Sequence, residues 1–345
     1  MLIRDVTLAD PPFTVEAQAA GAYELLIELS ALPRERATAR TQAALQRVGD
    51  RSGEVWLHLL GLATEAPEPR DAAALLTALE AADPLEVRRQ LLGADVPAWR
   101  RLVSPEVIEA AAAGDRAAQR ELLAHPRYYG GAAAQALAVL LPLGPEETRR
   151  RLLEAVGRWH EESFAARETG LAELLAADAR ATTELAAGLD PARLIELVCG
   201  GFAYEPEPEC PRVLLVPHLA ARPWLLLCQH RDTRIICHPA RRRGRDERAA
   251  TAEGLLRLGR ALGDEQRQRI LAALAGGPRD LDELAGTVGL SRSTVHHHMG
   301  LLRAAGLVAL AGNARRYRYG LRREAVAEAT ALLASLLTAP GEERP

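Results

Sequence analysis

The sequence predicts a mainly α protein of two domains. A helical N-terminal domain with a small antiparallel β-sheet near its end precedes a compact C-terminal domain of short helices and a basic hairpin. Three observations carry this. Through residues 13–250, Ala- and Leu-rich runs start at Asp or Pro and stop at Gly, as helices do. From Arg212 the texture changes to short apolar runs with β-branched residues. From Asp264 onward, short amphipathic segments joined by Gly turns lead into an alternating stretch studded with arginine. A chain of 345 residues suits two domains, and 48% apolar content supplies a core for each. With only 4% aromatics, those cores rest on Leu, Ala and Val.

The helical domain is expected over residues 1–239. Periodicity and start signals place helices at 15–32, 71–82, 84–92, 105–113, 115–124, 131–141, 145–168 and 170–188. No fixed-period repeat is present. Strands are expected at 213–218, 223–230 and 234–238, the last two forming a hairpin about Asp232-Thr233. That turn would set Cys228 opposite Cys237, with His230 two residues along on the same face. The trio is a candidate metal or redox site, but a pair of small buried side chains is the favoured reading, since free Cys is commonly buried. No fourth ligand is evident. Residues 240–253, rich in arginine, read as a linker.

The C-terminal domain is expected over 254–338. Asp264 sits at an N-cap position, with Ile270, Leu271 and Leu274 at helical spacing behind it. Gly276-Gly277-Pro278 ends that helix. Asp280 and Glu283 have capping-box spacing before the stripe Leu281, Leu284, Ala285 and Val288. Gly289 suits the left-handed turn that follows, and Ser291 caps the next helix. Only Gly289 and Leu290 lie between the two helices, so they must cross steeply, as in a helix-turn-helix. Val295, Met299 and Leu302 should pack inward, with Arg292, Ser293, His296, His297 and Gly300 on the opposite side. Arg292 can pair bidentately with guanine; Ser293 and Thr294 can bond bases or phosphates. Gly300 would leave backbone free to approach a phosphate.

A hairpin follows, with its turn expected at Gly312-Asn313 and Val308 opposite Tyr317. Tyr317 and Tyr319 then share the buried face with Val308 and Leu310, and Arg316 and Arg318 share the outer face with Ala309 and Ala311. Helix, turn, helix and basic hairpin in this order make a winged helix-turn-helix. The candidate DNA-binding residues are Ser291, Arg292, Ser293, Thr294, His296, His297, Arg315, Arg316 and Arg318. The adjacent triple His does not converge on an ion, because successive helical side chains diverge by about 100°.

Charge follows the same division. Residues 255–324 hold twelve arginines against six carboxylates, a net +6, which leaves −9 elsewhere in a chain whose total is −3. A cationic module on an acidic chain suits nucleic-acid binding. The chain has no lysine. P-loop phosphate binding and Schiff-base chemistry both need one, so both are excluded. No nucleophile elbow, zincin motif or dinucleotide fingerprint is present. Neither an enzymatic activity nor a cofactor is expected.

The stretches Ala261-Leu262-Gly263-Asp264, Gly289-Leu290-Ser291, Ser293-Thr294-Val295, His297-His298, Ala305-Gly306-Leu307-Val308 and Tyr317-Arg318-Tyr319 together resemble the ArsR family of winged-helix regulators. The resemblance covers about a quarter of the chain. It implies a homodimeric repressor that reads an inverted repeat in double-stranded DNA and is released by a signal. Metal sensors of that family carry a cysteine pair before the recognition helix, or His and acidic ligands in the last helix. Here the first region reads Arg279-Asp280-Leu281-Asp282-Glu283-Leu284, and the last helix has no His, so metal sensing at those places is not expected. His296 stands where the family often has Ser. The N-terminal part, with helices, a short sheet near Arg222-Pro223-Trp224 and then the DNA-binding unit, resembles a domain joined to ArsR-type modules in actinobacterial regulators. That resemblance implies no ligand.

The expected protein is therefore a cytoplasmic, homodimeric transcriptional regulator without a membrane segment, its last helix pairing subunits through Val326, Ala329, Leu332, Leu333, Leu336 and Leu337. The N-terminal domain would add dimer surface or receive a small-molecule effector of unidentified chemistry. The rival expectation is a protein-binding or enzymatic N-terminal domain that uses the DNA-binding module for placement.

Overall fold

The computed structural model describes residues 13–31, 37–48, 54–96, 100–126, 128, 137–241, 247–313, 316–322 and 324–338. In chain order these form β1 (Thr14–Ala17), α1 (Gly21–Ala31), α2 (Ala39–Arg47), α3 (Glu54–His58), α4 (Leu60–Glu65), α5 (Ala72–Ala81), α6 (Pro84–Leu91), α7 (Pro105–Ala113), α8 (Arg116–Ala124) and α9 (Pro145–Trp159). A π-helical turn (His160–Phe164) leads into α10 (Ala165–Ala186), then α11 (Pro191–Val198), β2 (Phe202–Tyr204), β3 (Arg212–His218), β4 (Leu226–His230) and β5 (Thr233–Pro239). The remainder is α12 (Glu247–Leu262), α13 (Glu265–Ala275), α14 (Leu281–Val288), α15 (Arg292–Ala304), β6 (Val308–Asn313), β7 (Arg316–Leu321) and α16 (Ala325–Thr338). The architecture is mainly α with two small sheets.

The chain divides into two compact units. The first holds residues 1–184 and 208–240; the second holds 185–207 and 241–345. Residues 185–207, expected in the N-terminal part, group with the C-terminal unit, and so do residues 241–253 of the expected linker. Glu247 already begins α12, so the stretch expected as a linker over 240–253 is helical in its second half.

In the first unit, side-chain caps start the helices where the sequence places Asp or Ser. Asp71, Asp83, Ser104 and Asp115 each accept a backbone N–H of the first turn. The core gathers Tyr23, Leu25, Ile27, Trp56, Leu59, Leu75 and Phe164 around α1. Arg88 is buried in it and donates through Nη2 to the carbonyls of Ala111 (3.2 Å) and Leu141 (3.1 Å), and through Nη1 to that of Leu143. On α1, Glu24 accepts the N–H groups of Leu219 and Ala220, while Glu28 accepts from Trp159 Nε1 and Arg167.

The sheet of this unit has the order β1-β3-β5-β4, and it corrects the expectation of a small antiparallel sheet. β1, β3 and β5 run parallel, and only β4 is antiparallel. Burial explains it. Six consecutive residues of β3, and six of β5, are buried, the pattern of central strands covered on both faces. The expected helix over 15–32 divides into β1 and α1, since Thr14–Ala17 alternates between exposed and half-buried positions at the sheet edge. The expected break before residue 170 is absent: α10 runs through Gly170.

The hairpin β4–β5 turns at Arg231-Asp232, one residue earlier than expected, with Arg231 at φ +50°. Cys228 therefore faces Ile235, and Cys237 faces Leu226. His230 points to Glu65 on α4, with Nε2 2.9 Å from Oε1. Cys199, Cys210, Cys228 and Cys237 form no disulfide, and burial pushes the Cys228 thiol up to about 12. At the candidate site of Cys228, His230 and Cys237, His230 thus contacts a carboxylate instead. Among the described residues no helix is long and apolar enough to cross a membrane.

Candidate nucleic-acid interface

The second unit builds its site on a small core of Ala261, Ile270, Leu274, Leu284, Val288, Val295, Met299, Leu302 and Val308. These residues come from α12, α13, α14, α15 and β6, so the core fixes the helix pair and the hairpin together. Asp264 caps α13 by accepting the Arg267 N–H at 3.0 Å. Asp280 and Glu283 form a reciprocal capping box on α14, with bonds of 2.8 and 2.9 Å. Gly289 takes the left-handed conformation at φ +71° that the turn into α15 requires.

Ser291 caps α15, its hydroxyl accepting the Thr294 N–H at 3.2 Å. Its Oγ also lies 3.0 Å from Ser293 Oγ and 2.7 Å from Thr294 Oγ1. Three hydroxyls thus cluster at the positive end of a helix dipole, a setting that favours a phosphate. The side-chain division of α15 is clear. Val295, Met299 and Leu302 are buried, while Arg292, Ser293, Thr294, His296 and His297 are exposed. Gly300 is buried, which corrects the expectation that its backbone approaches a phosphate. Its place against the core leaves no open backbone there.

His296 and His298 are held below the ordinary imidazole range. Desolvation is the main cause for each. The Arg292 and Arg303 charges add to it at His296, and at His298 Asp264 opposes it. Both rings are thereby biased toward the neutral form, which offers one donor and one acceptor. That suits a polar base edge better than a phosphate.

β6 and β7 pair antiparallel, with Val308 opposite Leu321, Leu310 opposite Tyr319 and Ala311 opposite Arg318. Gly312 and Asn313, expected to form the turn, belong to β6 instead, so Val308 pairs with Leu321 rather than Tyr317, a register shift of four residues. Because the shift is even, Leu310, Ala311, Arg318 and Tyr319 keep their predicted faces. Leu310 is buried and Tyr319 half-buried on the inner side; Ala311 and Arg318 share the outer side. Arg316 holds the first position of β7, opposite Asn313. Arg315 lies outside the described residues.

Two ion pairs tie the candidate DNA contacts to α14. Arg292 Nη1 lies 3.3 Å from Asp282 Oδ2, and Arg318 Nη2 lies 3.2 Å from Glu283 Oε2. All four side chains are well exposed, so the pairs are weak and exchangeable. Sequence reasoning missed both acids as partners of these arginines. It also missed Arg322, whose guanidinium donates to Gly306 O at 2.9 Å and pairs with Glu328 on α16 at 2.8 Å. On α16, Leu333 is 48% exposed and Ala329 is half-buried, while the side chains of Val326, Leu332, Leu336 and Leu337 lie outside the described set.

Comparison with known proteins agrees with this geometry. The family profile described as "Bacterial regulatory protein, arsR family" matches residues 264–309, from the cap of α13 into β6. The HTH-type transcriptional regulator CmtR of Mycobacterium bovis is 41% identical over 91 residues, which cover 26% of this chain and 77% of that protein. The CmtR of Mycobacterium tuberculosis is similar to the same extent.

Proposed function

The chain belongs to the arsR family of bacterial regulatory proteins, and from that premise we propose that it is a homodimeric transcriptional repressor, released from an inverted-repeat operator by a signal. As a DNA-binding transcriptional regulator it presents α15 to the major groove, with Arg292, Ser293, Thr294, His296 and His297 toward base edges and phosphates. Arg316 and Arg318 of the hairpin, with Arg315 beside them in the sequence, hold the sugar-phosphate backbone. One observation carries the reading: the first two turns of α15 bury Val295 and leave Arg292, Ser293, Thr294, His296 and His297 exposed, beside a hairpin face that carries Arg318.

Subunit pairing rests on α12 and α16, where Leu256 (61%), Leu262 (41%) and Leu333 (48%) stand exposed. Large apolar side chains left in water on adjoining helices of a small unit favour a second copy over solvent. The reading assigns the chain no reaction of its own and places it in the cytoplasm, with an effector acting through the first unit.

Selection of duplexes from a random pool with the full-length protein supplies the preferred site. On that site Arg292→Ala should cost about 1–3 kcal/mol of binding and relax one base position. Arg316→Ala should weaken binding to every sequence and lower the slope of log affinity against log salt by about 0.9. A full-length protein that enriches no duplex, or an Arg292→Ala variant with unchanged preference, would overturn the assignment.

A further inference from the structure

The hairpin of the DNA-binding unit is not two-stranded. β2, contributed by a segment that precedes β3 in the chain, runs parallel to β6 on the side away from β7. Phe202 pairs with Leu310, Ala203 with Ala311 and Tyr204 with Gly312, and the Glu205 N–H continues the ladder to Gly312 O at 3.0 Å. Two successive glycines with positive φ, Gly200 (+65°) and Gly201 (+84°), turn the chain from α11 into this strand. At Gly201 a Cβ would stand 3.5 Å from Arg322 Cδ, so the turn packs directly against the residue that follows β7.

The rows across the three strands sort by face. Phe202, Leu310 and Tyr319 form one row on the inner side, where Phe202 is buried. Ala203, Ala311 and Arg318 form the next row, on the outer side, where Ala203 is exposed. Glu205, also exposed, stands level with Asn313 and Arg316, the pair at the far end of the hairpin. The third strand therefore flanks the hairpin along its outer half up to that pair. On the other side, Arg279 bridges to Tyr319 and flanks the base of β7.

Width then decides how such a hairpin meets a duplex. Three strands at about 4.8 Å spacing span roughly 10 Å between outer backbones, against a minor groove about 6 Å wide. Resting on the DNA-binding reading above, we propose that β2, β6 and β7 form one flat ledge that lies across the sugar-phosphate backbone outside the minor groove. Its phosphate-facing surface is the Ala203–Ala311–Arg318 row, and Glu205 is a built-in negative charge that limits its grip. Small side chains at 203 and 311 let the ledge approach the backbone closely, Arg318 supplies the attraction, and Glu205 opposes it at the edge nearest Arg316. A residue about 90 positions before the recognition helix thereby becomes part of the DNA-contacting surface.

The full-length chain tests this on its selected duplex. Ala203→Arg, an exposed edge-strand change that needs no repacking, should steepen the salt slope by about 0.9 and raise affinity several-fold at low salt. Glu205→Gln should raise affinity about twofold on any sequence. Replacing guanine by hypoxanthine under the hairpin removes the minor-groove amino group, and affinity should stay within about twofold. An Ala203→Arg variant with wild-type slope and affinity, while Arg292→Ala still impairs binding, would refute the ledge and leave the regulator reading intact. A tenfold loss with hypoxanthine would place the hairpin in the groove and refute it equally. A wild-type chain that binds no duplex would instead bring down the reading on which the ledge rests.

Discussion

The two units differ in where their most distinctive ionisable side chains sit. The first buries Glu24 and Arg88, each 1% exposed, and Glu28, 5% exposed. Each meets fixed partners, namely backbone N–H groups for Glu24, backbone carbonyls for the Arg88 Nη atoms, and an indole and a guanidinium for Glu28. The second unit holds two arginines of its candidate interface in exposed pairs, Arg292 with Asp282 and Arg318 with Glu283. Buried polar groups with complete partners specify one arrangement and are costly to disturb. Exposed pairs contribute little to stability and give way readily to a stronger anion. The contrast is what a rigid body joined to a polyanion-binding module requires, and it makes the two halves respond differently to the same kind of mutation.

The largest expected effect is at Arg88. Arg88→Ala leaves a cavity and strips donors from the carbonyls of Ala111, Leu141 and Leu143, so the first unit should lose about 3–5 kcal/mol in denaturant titration. A loss below about 1 kcal/mol would mean that the buried cation is not a structural tie.

Glu24 comes next, and its effect depends on pH. Burial pushes its carboxyl up to about 7, against the pull of the Leu219 and Ala220 N–H groups. The folded value lies above the unfolded one, so the folded state holds the proton more tightly. The resulting stability is full below about pH 4.5 and drains away as pH rises through about 7, on the order of 3 kcal/mol in all. Glu24→Gln keeps an acceptor for the two N–H groups and should flatten that part of the stability–pH curve. Parallel curves for the two proteins would contradict the assignment.

The smallest effect sharpens the other side of the contrast. Asp282→Asn should change thermal stability by less than about 0.5 kcal/mol. It should still tighten DNA binding a few-fold at low salt, because Arg292 loses its competitor for phosphate and base. A stability loss above about 1 kcal/mol would show that the exposed pair is structural after all.

The sequence told unequal amounts about the two units. In the second, Asp264, Asp280, Glu283, Gly289 and Ser291 are local signals with local outcomes, and the caps and turns formed where those residues stand. The outward side chains of α15 followed from its 3.6-residue period alone. The hairpin register moved by four residues because Gly312-Asn313, the strongest local turn signal, lies within β6. The faces survived because strand alternation has period two. In the first unit the helix starts were legible, but the sheet was not. β1 is four residues long and was absorbed into an adjoining helical run, and parallel pairing between β3 and β5 leaves no local mark. β2 is harder still. Phe202-Ala203-Tyr204 is too short to declare a strand, and its partner lies about a hundred residues away. Only the two glycines before it hinted at a sharp turn. The surface of the candidate site was therefore readable on α15 and β7 and invisible on the strand that completes it.

Amide hydrogen exchange of the full-length protein, with and without its selected duplex, tests the central claim most directly. Slowed exchange should centre on residues 291–297 and 311–318 and extend to 202–205, with the amides around Glu24 and Arg88 unchanged. Protection confined to the first unit, or none in the α15 segment at saturating duplex, would contradict the account.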